Sequence, residues 1–187
     1  MALEAVCVFC GSQSGRNAAY VDSARATARQ LARMGIEIVY GGGHVGLMGA
    51  LADEGLASGA RVVGIIPHHL MRPEVAHQGL SELVVVDSMH ARKRAMADRS
   101  DAFVALPGGF GTLEELCEMV TWLQLGLEKK PVGLLNVNGF FDPLIAYIDH
   151  ATEQGFIRAE HRRLVRVESS IEPLLECLEQ ALGERAG

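Results

Sequence analysis

Ten residues, Leu106-Pro-Gly-Gly-Phe-Gly-Thr-Leu-Glu-Glu115, bring together groups suited to chemistry on a small phosphorylated molecule. The apolar run 102–106 before them reads as a buried strand, and residues 113–125 after them read as a helix. A glycine-rich turn between strand and helix leaves backbone N–H groups pointing outward. They do so at the helix end that carries about half a positive charge, a place suited to a phosphate. Glu114 and Glu115 are expected in the first helical turn, beside whatever that loop holds. Neighbouring helical residues point about 100° apart, so at most one of the two is expected to face the ligand. Thr112 and Glu115 also have the spacing of a capping box, with Thr at the N-cap and Glu at N3. That second reading needs no ligand, and the residues alone leave both open.

Met89-His-Ala-Arg-Lys-Arg94 opens another predicted helix. Arg92, Lys93 and Arg94 are a dense basic cluster in an acidic chain. A helix N-terminus repels cations, so a bound anion that offsets them competes with a plain solvated face as the explanation. Arg92 and Arg99 lie seven positions apart, a spacing that can put both on one face. Gly41-Gly-Gly-His-Val-Gly46 has the form G-x-G-x-x-G after a strand and before a helix. The acidic residue that a dinucleotide site wants at the end of the next strand is missing, since that strand runs into Ile65-Ile-Pro67. Two readings remain: a tight turn with close helix packing, or a second amide surface facing a phosphate or sugar. No P-loop pattern is present.

Cys7 and Cys10 form a C-x-x-C with no second pair and no matching histidines. The expectation is that Cys7 packs in the core and Cys10 lines a turn. None of the seven histidines has helical metal spacing, so no metal is expected.

The elements that position these groups alternate from end to end. Strands are predicted over 6–9, 37–40, 61–66, 83–86, 102–106, 132–135 and, more weakly, 164–167. Helices are predicted over 18–34, 47–58, 89–99, 113–125, 143–153 and 171–182. Such βα alternation implies right-handed crossovers and an α/β, doubly wound parallel sheet flanked by helices. Ligands of such sheets bind beyond the carboxyl ends of the strands. Those ends carry Gly11-Ser12, Gly41-Gly-Gly43, Asp87-Ser-Met-His90 and 107–112. The least regular stretch, 67–79, has the character of a loop that closes over the site.

At 187 residues and 49% hydrophobic content, one domain spanning 1–187 is expected. A net charge of −6 argues against nucleic acid as a partner. No leader-like start at Met1-Ala-Leu-Glu4 and no apolar run of membrane-spanning length is seen, so a soluble cytoplasmic protein is expected.

Taken together, these segments resemble the LOG family of cytokinin riboside 5′-monophosphate phosphoribohydrolases, whose members are often labelled lysine decarboxylases. The resemblance rests on Val8-Phe-Cys-Gly-Ser12 with Gly15 and Tyr20, on Val39-Tyr-Gly-Gly-Gly43 with Gly46-Leu-Met-Gly49, and on Met89-His-x-Arg-Lys93. It continues with Pro107-Gly-Gly-x-Gly-Thr-x-x-Glu115, Thr121-Trp-Leu-Gln-Leu-Gly126 and Lys130-Pro-Val-Gly-Leu-Leu-Asn136. Departures lie in the 67–72 loop, where substrate preference could be set. The resemblance implies a Rossmann-like fold, a homodimer, and no metal or redox cofactor. It implies hydrolysis of an N6-substituted adenosine 5′-monophosphate, or of AMP, to free base and ribose 5-phosphate. Arg92 and Glu115 would be the catalytic pair. Nucleotide contacts would fall on Glu74, Arg92, Lys93, Gly108, Gly109, Phe110, Gly111, Thr112, Leu113, Glu114, Glu115 and Thr121. Gly11, Ser12, Gly42, Gly43 and Met89 are added from the strand ends.

Three other functions compete. A pyridoxal-phosphate decarboxylase needs a lysine for its Schiff base, and only Lys93, Lys129 and Lys130 exist. A non-catalytic carrier of a nucleotide or of molybdenum cofactor could use the same phosphate cradle but has no need of Glu115. Ribosyl transfer to another base is the third, and free ribose 5-phosphate as product would exclude it.

Overall fold

The computed structural model of the protein describes residues 2–72 and 75–186, with 185 and 186 as backbone only. Seven strands form one parallel sheet in the order β4-β3-β2-β1-β5-β6-β7. They are β1 Ala5–Phe9, β2 Glu37–Tyr40, β3 Val62–Pro67, β4 Glu82–Val86, β5 Ala102–Ala105, β6 Val132–Leu135 and β7 Val165–Glu168. The longer helices are α1 Ala18–Arg33, α2 Gly46–Ala57, α3 Met89–Asp98, α4 Phe110–Gln124, α5 Asp142–Glu153 and α7 Ile171–Ala186, with a short α6 at Ala159–Arg162. Every predicted strand and helix is present within a few residues. The sequence reading missed α6 and the 3-10 turns His68–Leu70 and Val137–Gly139. Those pieces are too short for an apolar period to show.

The central strands are apolar on both faces because helices cover both. Val6 and Val8 of β1 join Val104 of β5 in one core, beneath α1, α2 and α7. Cys7 and Phe9 join Phe103 and Ala105 in the other, with Met96 of α3 and Leu116 and Met119 of α4. The rings of Phe9 and Phe103 stack at 5.9 Å across the sheet's centre. Cys7 and Cys10 are free and buried, Cys7 in the core as expected. Among the described residues no helix is long and apolar enough to cross a membrane.

Strand order reverses between β1 and β5, and their register aligns Val8 with Val104 and Phe9 with Ala105. The loops after these two strands therefore emerge side by side, and Gly11 N donates to Pro107 O at 3.1 Å. Among the described residues no full-length helix connects β3 to β4. Instead residues 75–77 are strapped to the loop after β2. Gly43 pairs with Ala76, His77 N donates to Gly42 O at 2.9 Å, and His44 N donates to Val75 O at 3.0 Å.

Candidate active site

Helix α4 begins three residues earlier than the apolar pattern suggests, and this changes the reading of its first turn. Gly109 is the N-cap and offers no side-chain bond. Thr112 is thus inside the helix, and Glu115 lies past the first turn. The capping-box reading fails, as does the placement of both glutamates in the first turn. Built Cβ atoms on Gly109 and Gly111 would meet nothing within 4 Å, so the helix end is open to an incoming group. Gly108 differs, since a Cβ there would stand 2.1 Å from Thr112 Oγ1.

Helix α3 is started by Ser88, whose hydroxyl accepts from Ala91 N at 3.1 Å. One turn on, Arg92 swings back over the strand ends. Its Nε donates to Ile65 O at 3.0 Å and its Nη2 to Gly41 O at 3.3 Å. Its Nη1 lies 3.8 Å from Met89 Sδ and 3.5 Å from Glu115 Oε1. Arg92 is 9% exposed and Glu115 7%. Gly41 is needed here, because a Cβ would sit 2.0 Å from Arg92 Nη2. Arg99, at the other end of α3, does not share this site. It binds Glu37 at 2.7 Å and Glu82 at 2.8 Å, beside Arg61, at the opposite end of the strands.

Arg92 and Glu115 line a cavity of about 240 Å³ together with Gly11, Ser12, Gly109, Phe110, Gly111 and Thr112. Val8, Phe9, Cys10, Gly41 and Met48 complete its lining. Phe110 stands at the cavity and is 94% exposed. A neighbouring cavity of about 220 Å³ shares Gly11, Ser12 and Gly109 and includes Gly108, Tyr20 and Phe140. Burial raises the Glu115 carboxyl above the usual range; Arg92 and Lys93 oppose this, while Glu114 and Glu118 add to it. Burial also pushes the Cys10 thiol up, with the Glu115 charge adding to it.

Other expected contacts lie elsewhere. Lys93 and Glu114 face each other behind the cavity, and Lys93 Nζ is 2.9 Å from Glu118 Oε2. Burial lowers the Lys93 pKa, but bonds to Glu114 and Glu118 outweigh it and leave the ammonium above its ordinary value. Leu113 packs against the α4-side core, and Met89 contacts Arg92 rather than the cavity. Gly42 and Gly43 hold the strap instead of lining the cavity. Thr121 is on a different face of α4, bonded to Cys117 O at 2.7 Å, in a groove with Leu116, Val120, Leu144 and Tyr147. Glu74 lies outside the described residues.

The sequence reading missed Gly41, Met48 and Cys10. Gly41 carried a signal, as the first glycine of its motif. The end of that motif packs rather than binds. Gly46 adopts φ 63° with a built Cβ 2.3 Å from Ser12, and the Gly11 carbonyl accepts from Leu47 N at 3.0 Å and Met48 N at 3.3 Å. The first amides of α2 are thus satisfied by protein. Among the described residues no three histidine, cysteine or acidic side chains gather as a metal would require.

Residues 48–178 match the family described as "Possible lysine decarboxylase". The chain is 49% identical over 175 residues to rice (Oryza sativa subsp. japonica) probable cytokinin riboside 5′-monophosphate phosphoribohydrolase LOGL1, covering 94% of this chain and 78% of that one. It is 48% identical to the rice phosphoribohydrolase LOG over 96% of this chain and 74% of that one. Against LOG2 of Arabidopsis thaliana it is 47% identical over 94% and 82%. Among solved structures, the molybdenum cofactor binding protein of Rippkaea orientalis superposes with a TM-score of 0.72 at 20% identity, covering 96% of this chain and 98% of that one. The Moco carrier protein of Chlamydomonas reinhardtii gives 0.69 at 20%, covering 96% and 98%. At that identity the likeness speaks for the fold.

Proposed function

We propose, since the chain belongs to the LOG family of phosphoribohydrolases, that it hydrolyses the N-glycosidic bond of a nucleoside 5′-monophosphate. The substrate is an N6-substituted adenosine monophosphate or AMP, and the products are free base and ribose 5-phosphate. One observation carries this reading: a buried guanidinium and carboxylate 3.5 Å apart share a cavity with the open N-terminus of α4.

Breaking the C1′–N bond passes through a cation-like sugar, as in glycoside hydrolysis. Glu115 can stabilise that charge or take a proton from the attacking water. Arg92 is already fixed by two backbone carbonyls, so it can meet charge developing on the departing base with little reorganisation. The 5′-phosphate would rest against the amides of residues 109–112, remote from the reacting bond. Binding energy gained there orients the sugar. No cofactor is required by this scheme.

Lysine decarboxylation is disfavoured by the residues themselves. No lysine is among the cavity's lining residues; Lys93 is paired with Glu114 and Glu118, and Lys130 Nζ donates to Ala97 O at 2.7 Å. A carrier would have no use for a carboxylate beside the sugar.

The same reading includes one domain over 1–187 and a homodimer. The apolar groove along α4 and α5, with Tyr147 exposed on it, supports self-association and is testable by light scattering. A cytoplasmic location accords with four unpaired cysteines. The deciding experiment is incubation with AMP, isopentenyladenosine monophosphate and the unphosphorylated riboside, with chromatography for free base. Release from the two phosphates but not from the riboside is expected. No release from any of them would refute the proposal.

A further inference from the structure

Lys93 is only 6% exposed, and its ammonium touches Glu114 and lies 2.9 Å from Glu118 Oε2, an oxygen sealed from solvent. Neither Lys93 nor Glu118 lines the cavity. Both nevertheless adjoin the pair that does. Lys93 follows Arg92 on α3, and Glu118 lies about one turn beyond Glu115 on α4. The two helices are therefore tied by Arg92 to Glu115 at the cavity and by Lys93 to Glu114 and Glu118 behind it, with Arg94 also lying over the Trp122 ring at 5.7 Å. The front contact, at 3.5 Å, is too long for a strong hydrogen bond. The rear contact to Glu118 is shorter, and it is an ionic one ending on a carboxylate oxygen that accepts no hydrogen bond.

We propose that Lys93 and Glu118 are positioning residues for the hydrolysis. Their ion pair sets the spacing of α3 and α4 that keeps Arg92 opposite Glu115. Its two charges, at the back of Glu115, balance the field on that carboxyl. This rests on the reading that Arg92 and Glu115 carry the reaction.

The groups around Glu115 are Arg92 and Lys93 from α3, Glu114 and Glu118 from its own helix, the Cys7 thiol of β1 and the Cys10 thiol just after it. Two cations oppose two further carboxylates. Removing either member of the rear pair tips that balance in a known direction. Lys93→Met leaves two carboxylates uncompensated, so Glu115 holds its proton more tightly. Glu118→Gln removes a repelling charge, so Glu115 releases its proton more readily. A strut with a purely mechanical role would lower activity in both variants without opposite displacements.

The test is the pH–rate profile of base release from AMP or isopentenyladenosine monophosphate, with kcat and KM resolved. It compares the wild type with Lys93→Met, Lys93→Arg and Glu118→Gln. The limb governed by Glu115 should move up in Lys93→Met and down in Glu118→Gln, each by on the order of one pH unit. In both, kcat should fall about tenfold or more while KM stays within about threefold, and Lys93→Arg should recover most of the rate. Limbs that stay put or move the same way would overturn the proposal. So would a raised KM with unchanged kcat in Lys93→Met, which would return Lys93 to the nucleotide. If Lys93→Met fails to fold, the downward shift in Glu118→Gln and the rescue by arginine decide. A wild-type protein that releases no base overturns the hydrolase reading along with this one. An active wild type with unmoved limbs overturns this one alone.

Discussion

Replacing Glu115 by glutamine separates its chemical role from its packing role. The substitution keeps shape and removes charge. If the carboxylate supplies general acid–base or electrostatic help, kcat should fall by about 10²–10⁴-fold, or roughly 3–5 kcal/mol of transition-state stabilisation. The stability cost should be far smaller. Breaking a buried ion pair normally costs about 3–5 kcal/mol because a charge is stranded. Here Arg92 retains Ile65 O at 3.0 Å and Gly41 O at 3.3 Å, and the bond it loses was 3.5 Å long. The net change should therefore stay within about 1 kcal/mol, or roughly 2–4 °C in Tm for a chain of this size. The pH dependence has a definite sign. Burial raises the native pKa of Glu115 above its unfolded value. Its contribution to stability is thus complete below the unfolded carboxylate value and is lost as pH rises through the native one. Glu115→Gln should lose that decline. The assays are single-turnover hydrolysis, AMP binding by calorimetry (expected within about tenfold of wild type, about 1.4 kcal/mol) and urea unfolding across pH. Turnover near wild type would refute the catalytic assignment. A loss of several kcal/mol in stability would make Glu115 a structural strut instead.

Arg92→Ala should lose at least about 10²-fold in kcat/KM. Arg163→Ala, at an exposed position, should stay within about twofold, and equal losses would mean the basic cluster is only charged surface. Gly41→Ala places a Cβ 2.0 Å from Arg92 Nη2, so activity should drop toward that of Arg92→Ala. Its fold should survive with about 1–3 kcal/mol of destabilisation, read by thermal melting. Hydrogen bonding from Arg99, with help from Arg61, lowers the Glu82 pKa, so that pairing supports the fold above the ordinary carboxylate value and fails as pH falls through the lowered one. Arg99→Ala should shift acid unfolding, followed by circular dichroism, to higher pH, and 1 M salt, with a Debye length of about 3 Å, should shrink the difference.

The layout of the sheet was readable because β1, β2, β3, β5 and β6 are short apolar runs that end at glycine, proline or a polar turn. Both faces of the central strands are covered, so no polar alternation blurred them. Of the candidate site, the gathering of Arg92, Glu115 and the 109–112 turn around one cavity was legible, because each lies in the loop or helix that directly follows a strand. The start of α4 was not. Gly111 reads as loop, yet with an open end and no side-chain cap the helix begins at Phe110. Lys93 was misplaced for another reason. Adjacent residues on α3 point to different sides, and only coordinates show that Lys93 finds carboxylates while Arg92 finds the cavity. Arg99 likewise left the face it was expected to share with Arg92, drawn by Glu37 and Glu82 across 62 and 17 residues of chain. Pairings of that span leave no local pattern.

The seat of Arg92 limits which neighbouring sequences remain viable. Its planar fork meets the β3 carbonyl of Ile65, the carbonyl of Gly41 and the Glu115 carboxylate through three separate nitrogens. Lysine has one nitrogen and would leave acceptors stranded in a dry place, at about 1–3 kcal/mol each. Any side chain at position 41 would evict the fork. Two positions 51 apart are therefore expected to drift together or not at all, with arginine and glycine kept or lost as a unit.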